Sequence, residues 1–218
     1  DHVELGRLLG AIDLERGAKV SGSRFYFLTG VGAQLEFALV NMAMDQARGA
    51  GFTQVVAPSL VKPAAMEGTG FLGQAADDVY RIEGEDMYLV GTSEVAMAAY
   101  HSEEILDAAS FPRRYAAFSP CFRKEVGAHG KYTRGLFRVH HFNKVEQFVF
   151  CLPKDSWQIH EELQHNSEEM LQQLGVPFRV VSVCSGDMGS IAAKKYDIEF
   201  LMADGNYREI GSNSNCTD

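Results

Sequence analysis

The feature that most constrains the fold is a pair of long strand-like runs, 115–123 and 140–150, joined by a polar loop that carries glycine. The loop between them shows no helical pattern, so the two runs are expected to pair as antiparallel neighbours, because a parallel crossover usually carries a helix. The other strand-like runs repeat the theme. Residues 79–82 and 87–90 flank the turn Glu83-Gly84-Glu85-Asp86, and residues 197–202 and 206–212 close through Asp204-Gly205. Further strands are expected at 24–28, 53–57 and 178–183. Helices are expected as one or two short pieces in 3–20, over 32–48 with Leu35, Ala38, Leu39 and Met42 at spacings of three and four, from Ser93, and over 156–174 with Gly175 as terminator. No regular strand-helix-strand rhythm appears, so the fold class is α+β, an antiparallel β-sheet flanked by helices.

Bulk properties narrow the function. A chain of 218 residues, 46% hydrophobic and 22% charged, fits one domain over 1–218. No apolar run approaches the roughly 18 residues that cross a bilayer, so a soluble, cytoplasmic protein with no membrane partner is expected. Cys121, Cys151, Cys184 and Cys216 are scattered, without a CxxC pair, which argues against a disulfide framework or a structural metal. A net charge of −9 argues against nucleic-acid binding by bulk charge. The basic residues Arg113, Arg114, Arg123, Lys124, Lys131, Arg134 and Arg138 are instead concentrated in one stretch, which suits a phosphate-bearing small ligand.

That stretch also holds the most informative run, Cys121-Phe122-Arg123-Lys124-Glu125, then Thr133-Arg134-Gly135, then Phe137-Arg138-Val139-His140 and 142–146. Arginines at the end of one strand and the start of its partner can converge on one ligand, and a guanidinium fork suits phosphate oxygens. Phe142 offers a face for a purine. Read alone, Arg123 and Glu125 are equally a surface ion pair and Phe142 a core residue. His140 and His141, adjacent on a strand, face opposite sides of the sheet, which argues against one shared metal ion.

The run resembles motif 2 of the class II aminoacyl-tRNA synthetases in the form found in the seryl-type enzymes. Other segments follow the same family in the same order. The first 28 residues resemble the entry to the catalytic domain, and GFTQVVAPSLV with Pro58 resembles motif 1, which implies a homodimer through that helix and strand. Gly91-Thr92-Ser93-Glu94 resembles the amino-acid-binding loop, although any such tripeptide can simply begin a helix. REIGSNSNCTD resembles the segment that holds ATP and magnesium, although by itself it is a polar strand end.

The resemblance implies activation of L-serine by ATP to seryl-adenylate and transfer to tRNA(Ser). By motif position, the catalytic set is Arg123, Glu125 and Arg138: Arg123 holds the α-phosphate, Glu125 lies near the adenine or the arginine, and Arg138 contacts ATP from the return strand, with Lys124 also at the ATP site. Val139 meets the nucleotide and Phe142 stacks on adenine. Glu209 and Ser212 hold Mg2+, with Ile210 and Gly211 lining the ATP site. Thr92, Ser93, Glu94, Arg123 and Glu146 surround serine, without an assignment of which acid takes the ammonium and which the hydroxyl. Ser214, Asn215 and Cys216 fit the pattern without a direct role. The sequence stops at Asp218, before the place where motif 3 would supply another ATP-binding arginine, and the tRNA-gripping N-terminal arm is lacking. The expectation is a C-terminally incomplete catalytic domain; the alternative is a paralogue that serves a carrier protein or acts as a nucleotide-binding regulatory module.

Overall fold

Local signals place most of the elements. In this computed structural model, which describes residues 1–73, 76–126, 134–189 and 191–216, Asp1 caps helix α1 (His2–Leu8) by accepting the Glu4 N–H at 2.9 Å. Asp13 caps α2 (Leu14–Ser21) in the same way, through the Arg16 N–H at 2.8 Å. The expected 3–20 helical region is therefore two helices. Between and after them, β1 (Ile12–Asp13) pairs antiparallel with β2 (Phe27–Leu28). The expected strand over 24–28 is shorter because Arg24 sits at φ +64, a left-handed conformation that breaks extension.

The chain forms two compact units whose segments alternate in sequence: Asp1–Asp45, Gln54–Glu104 and Ala116–Phe148 in the first, and Gln46–Thr53, Ile105–Tyr115 and Val149–Asp218 in the second.

In the first unit, the long helix α3 (Val31–Gly49) precedes β3 (Thr53–Val56) and β4 (Leu60–Val61). Next come α4 (Pro63–Gly68), the hairpin of β5 (Tyr80–Arg81) and β6 (Tyr88–Leu89), and α5 (Glu94–Ala98). The sequence's Gly84 turn does close that hairpin, with Gly84 at φ +80. Val61, Met66, Val79, Val90 and Val95 form its buried core, so the residues just before and after the Thr92 loop are held by packing.

The central strands are β7 (Arg113–Phe122) and β8 (His141–Phe150), in the order β3-β7-β8. Along β7, Ala117, Ser119 and Cys121 are buried while Phe118, Pro120 and Phe122 are partly exposed, the alternation of a strand; Ala116 is buried as well. Asn143 Nδ2 donates to Glu36 Oε1 at 2.7 Å and ties one face of β8 to α3. Phe142, Lys144 and Glu146, one residue out of phase with Asn143, share the other face.

In the second unit, α6 (Ser156–Gln173) packs on a meander of β9 (Phe178–Ser182), β10 (Ala192–Leu201) and β11 (Tyr207–Cys216), all antiparallel in the order β11-β10-β9. The strands β10 and β11 run longer than expected, because Lys194 and Lys195 and the polar run 213–216 pair in register despite their composition. Buried His160 of α6 explains this. Its Nε2 donates to the Asn213 carbonyl at 3.1 Å, Asn213 Nδ2 donates back to the His160 carbonyl at 2.8 Å, and Asn215 Nδ2 donates to Ser156 Oγ at 3.2 Å. Polar strand residues thus satisfy a helix that a sequence reading would pair only with apolar ones.

Candidate active site

Backbone hydrogen bonds bring the Thr92 loop to the end of β7. The Phe122 N–H donates to the Val90 carbonyl at 2.8 Å, while the Arg123 N–H is bonded to the His140 carbonyl at 3.0 Å. Arg123 therefore sits where β6, β7 and the approach to β8 meet. Its Nε donates to the Gly91 carbonyl at 3.2 Å, and its guanidinium carbon lies 5.2 Å from the Phe142 ring centroid. A Cβ on Gly91 would come within 3.3 Å of Arg123 Cγ and Nε, a tight contact that would shift the arginine side chain by a few tenths of an ångström. Among the described residues, neither terminal nitrogen of Arg123 has a hydrogen-bond partner. The group is anchored through Nε and keeps its fork of donors for a ligand.

The surface pair between Arg123 and Glu125 is not what forms. Glu125 Oε2 instead accepts from Arg138 at 3.2 Å, with the carboxyl 9% exposed and Arg138 largely in solvent. Glu125 also adopts φ +53, a conformation costly for a non-glycine residue, and its carbonyl accepts from Arg24 at 3.1 Å. Lys124 is exposed, with its backbone N–H on the Asp78 carbonyl and its ammonium 5.9 Å from the Tyr80 ring centroid; Val139 is buried. Residues 127–133, including Lys131 and Thr133, lie outside the described residues. His140 and His141 diverge as alternation requires. His140 Nδ1 meets the Arg123 carbonyl at 2.9 Å, while the His141 ring stacks on Phe122 with centroids 4.9 Å apart.

Beside Arg123 lies a small polar pocket. Thr92, 2% exposed, donates its hydroxyl to Glu146 Oε2 at 2.9 Å and accepts from the Glu94 N–H at 3.2 Å and from Lys144 Nζ at 3.0 Å. Lys144 also forms an ion pair with Glu146. Glu94 is partly buried. Burial pushes its carboxyl above the usual range and the neighbouring Glu146 adds to this, while Lys144 and Arg123 pull it back. Ser93 does not join the pocket: fully buried, it donates to the Ala117 carbonyl at 3.3 Å and pins the loop to β7. Lys144 was absent from the sequence assignment, yet strand alternation carries the signal, because it lies between Phe142 and Glu146 on their shared face.

The second unit holds Glu209, Ile210, Gly211 and Ser212, on β11. Glu209 and Ser212 are three apart and would face opposite sides of a regular strand. The register shows otherwise: Glu199 pairs with Glu209, Ile198 with Gly211 and Asp197 with Ser212, which leaves Ile210 as the extra residue of a β-bulge. Since Asp197 and Glu199 share a face, so do Glu209 and Ser212. Both are exposed, and both present the hard oxygen donors that a magnesium ion accepts beside phosphate and water. Asp197 takes Lys195 Nζ at 3.1 Å and Glu199 takes Arg179 Nε at 2.5 Å, so Glu209 is the carboxylate of that face without an ion pair among the described residues.

Residues 78–218 match the family model of the tRNA synthetase class II core domain (G, H, P, S and T). A serine--tRNA ligase from Nocardioides sp. is 65% identical over the whole chain, which covers 52% of that protein, and one from Streptomyces coelicolor is 62% identical with the same coverage. Among solved structures, seryl-tRNA synthetase from Pyrococcus horikoshii complexed with ATP superimposes with a TM-score of 0.96 at 49% identity, over 100% of this chain and 49% of that one. The cytoplasmic serine-tRNA ligase of Naegleria fowleri, in complex with AMP, gives 0.93 at 43% identity, over 100% and 52%. The chain spans about half the length of the curated relatives it matches.

Proposed function

The chain belongs to the class II tRNA synthetase core-domain family, and on that premise we propose that 1–218 is catalytic-domain sequence of an enzyme that activates L-serine with ATP and passes the seryl group to tRNA(Ser). The observation that carries this reading is the arrangement around Arg123, whose free donor fork lies beside a pocket with two carboxylates and a hydroxyl. The names of the similar proteins favour serine over other amino acids, and the nucleotides bound by the structural neighbours favour ATP.

In the reaction, a serine carboxylate oxygen attacks the α-phosphorus of ATP. The bond from phosphorus to the bridging oxygen breaks and pyrophosphate leaves. The attacking carboxylate is already ionised near neutrality, so no general base is required. Catalysis then consists of positioning and charge neutralisation. Arg123 directs its terminal N–H groups at the α-phosphate and the serine carboxylate, held in place by the Gly91 carbonyl. Glu125 orients Arg138 toward the nucleotide, Lys124 adds positive charge, and Val139 and Phe142 provide the surface on which adenine rests. Thr92, Glu94 and Glu146 receive the ammonium and hydroxyl of serine, and Ser93 supports their loop. Glu209 and Ser212 would hold Mg2+, with Ile210 and Gly211 beside the nucleotide; the ion supplies charge neutralisation of the phosphates when bound.

A homodimer is proposed through α3 and β3, where Val31, Leu35, Phe37 and Val56 are all more than half exposed. No helix among the described residues is long and apolar enough to cross a membrane, and a cytoplasmic setting for the enzyme is proposed from its relatives. Serine-dependent exchange of labelled pyrophosphate into ATP tests the reading. Exchange with serine and not with alanine is expected, because a buried site built for a hydroxyl leaves its polar groups unpaired with alanine. Equal exchange with both would refute serine selectivity.

A further inference from the structure

The pocket beside Arg123 already contains a cation of its own. Thr92 Oγ has one proton and two lone pairs, and all three are engaged: the proton by Glu146, the lone pairs by the Glu94 N–H and by Lys144 Nζ. A ligand group that bonds this oxygen must displace one of them. The Glu94 N–H is backbone at the start of α5, a helix held by the buried Val95 and Met97. Glu146 is the acceptor that a substrate needs. Lys144 remains, on a flexible stem with a side chain 32% exposed that can swing into water.

Its position is that of a substrate ammonium. Lys144 Nζ bridges Thr92 Oγ and the Glu146 carboxylate, and its charge offsets that of the partly buried Glu94. Without it, two carboxylates would face each other in a pocket that is largely removed from solvent, a costly arrangement. We propose that Lys144 fills the ammonium subsite of the pocket until the α-ammonium of the incoming amino acid displaces it, so that it sets substrate affinity by competition. The proposal rests on the assignment of Thr92, Glu94 and Glu146 to the amino acid.

Exchange of one cation for another keeps the pocket's charge constant through the binding cycle. An uncharged amino acid analogue cannot replace Lys144 without leaving the carboxylates uncompensated, and is thereby discriminated against. Lys144 is thus a specificity-determining residue that need not touch the bound substrate.

The test is calorimetric titration of L-serine into the protein and its Lys144→Gln and Lys144→Met variants at pH 8, with steady-state exchange kinetics beside it. Gln keeps a hydrogen bond to Thr92 without the charge, and Met removes both, so at least one is expected to fold with an unchanged unfolding midpoint. Loss of a partly exposed competing ion pair should tighten serine binding roughly five- to tenfold, seen as a lower KM for serine. Lys144→Arg, which keeps the cation, should not tighten it. Unchanged or weaker serine binding in folded Lys144→Gln and Lys144→Met overturns the proposal and makes Lys144 a support for Glu146 or a substrate contact. Glu146→Gln separates the two readings: if that variant binds serine as the unmodified protein does, the pocket assignment itself is wrong.

Discussion

Replacing Arg123 by alanine isolates the side chain on which the proposed chemistry turns. The anchored part of the guanidinium, Nε on the Gly91 carbonyl at 3.2 Å, does not point at a ligand, whereas the two terminal nitrogens have no partner among the described residues. Two charge-assisted hydrogen bonds to phosphate or carboxylate oxygens, at about 1.5–3 kcal/mol each, give about 3–6 kcal/mol of lost transition-state stabilisation. At about 1.4 kcal/mol per factor of ten, kcat/KM for serine-dependent pyrophosphate exchange should fall about 10²- to 10⁴-fold. The fold should persist, because the lost internal contacts are one carbonyl and one ring face at the edge of a site. Arg123→Lys should recover only part of the loss, since an ammonium cannot hold Gly91 and present a fork together. Exchange within threefold of the unmodified protein, in an Arg123→Ala variant with a normal unfolding transition, would refute this reasoning.

Glu94→Gln should raise the unfolding midpoint at pH 8, because Glu94 is held above its ordinary value by burial and by Glu146. A raised acid favours folding below its unfolded value of 4.5 and loses that contribution as pH rises through its folded value, so the gain from Gln should vanish as pH falls toward 4.5; thermal melts from pH 4.5 to 8 would check this. His160→Ala should destabilise by about 2–4 kcal/mol in urea unfolding, since it removes the bond to Asn213, the stack on Tyr196 and buried volume together. Phe37→Glu should convert a dimer to a monomer in sedimentation, with the secondary structure retained.

Much of the first unit was legible because its signals are local. Helical spacing, turn glycines and strand alternation placed a helical region over α1 and α2, the helix α3, the Gly84 hairpin, and β7 with β8. The second unit was less legible because its strands are polar and are specified by tertiary bonds: nothing local in 213–216 announces a strand, and only His160 and Ser156, about fifty residues away, account for it. The Ile210 bulge was equally hidden, although it decides that Glu209 and Ser212 face the same way. At the candidate site, the residue types were readable and the partnerships were not. Glu125 faces Arg138 rather than Arg123, Ser93 turns inward to Ala117, and Lys144 bridges Thr92 and Glu146. Such pairings depend on rotamers and on a carbonyl such as that of Gly91, which no side-chain pattern reveals.

The central claim, a serine-activating site built around Arg123, is tested most directly by the thermal shift of this chain with non-hydrolysable seryl-, alanyl- and threonyl-adenylate analogues. A ligand that binds only the folded state raises the midpoint according to how far its concentration exceeds its dissociation constant. The largest shift is expected with the seryl analogue, and it should be lost in Arg123→Ala. Equal shifts with all three analogues, or a seryl shift that survives Arg123→Ala, would contradict it.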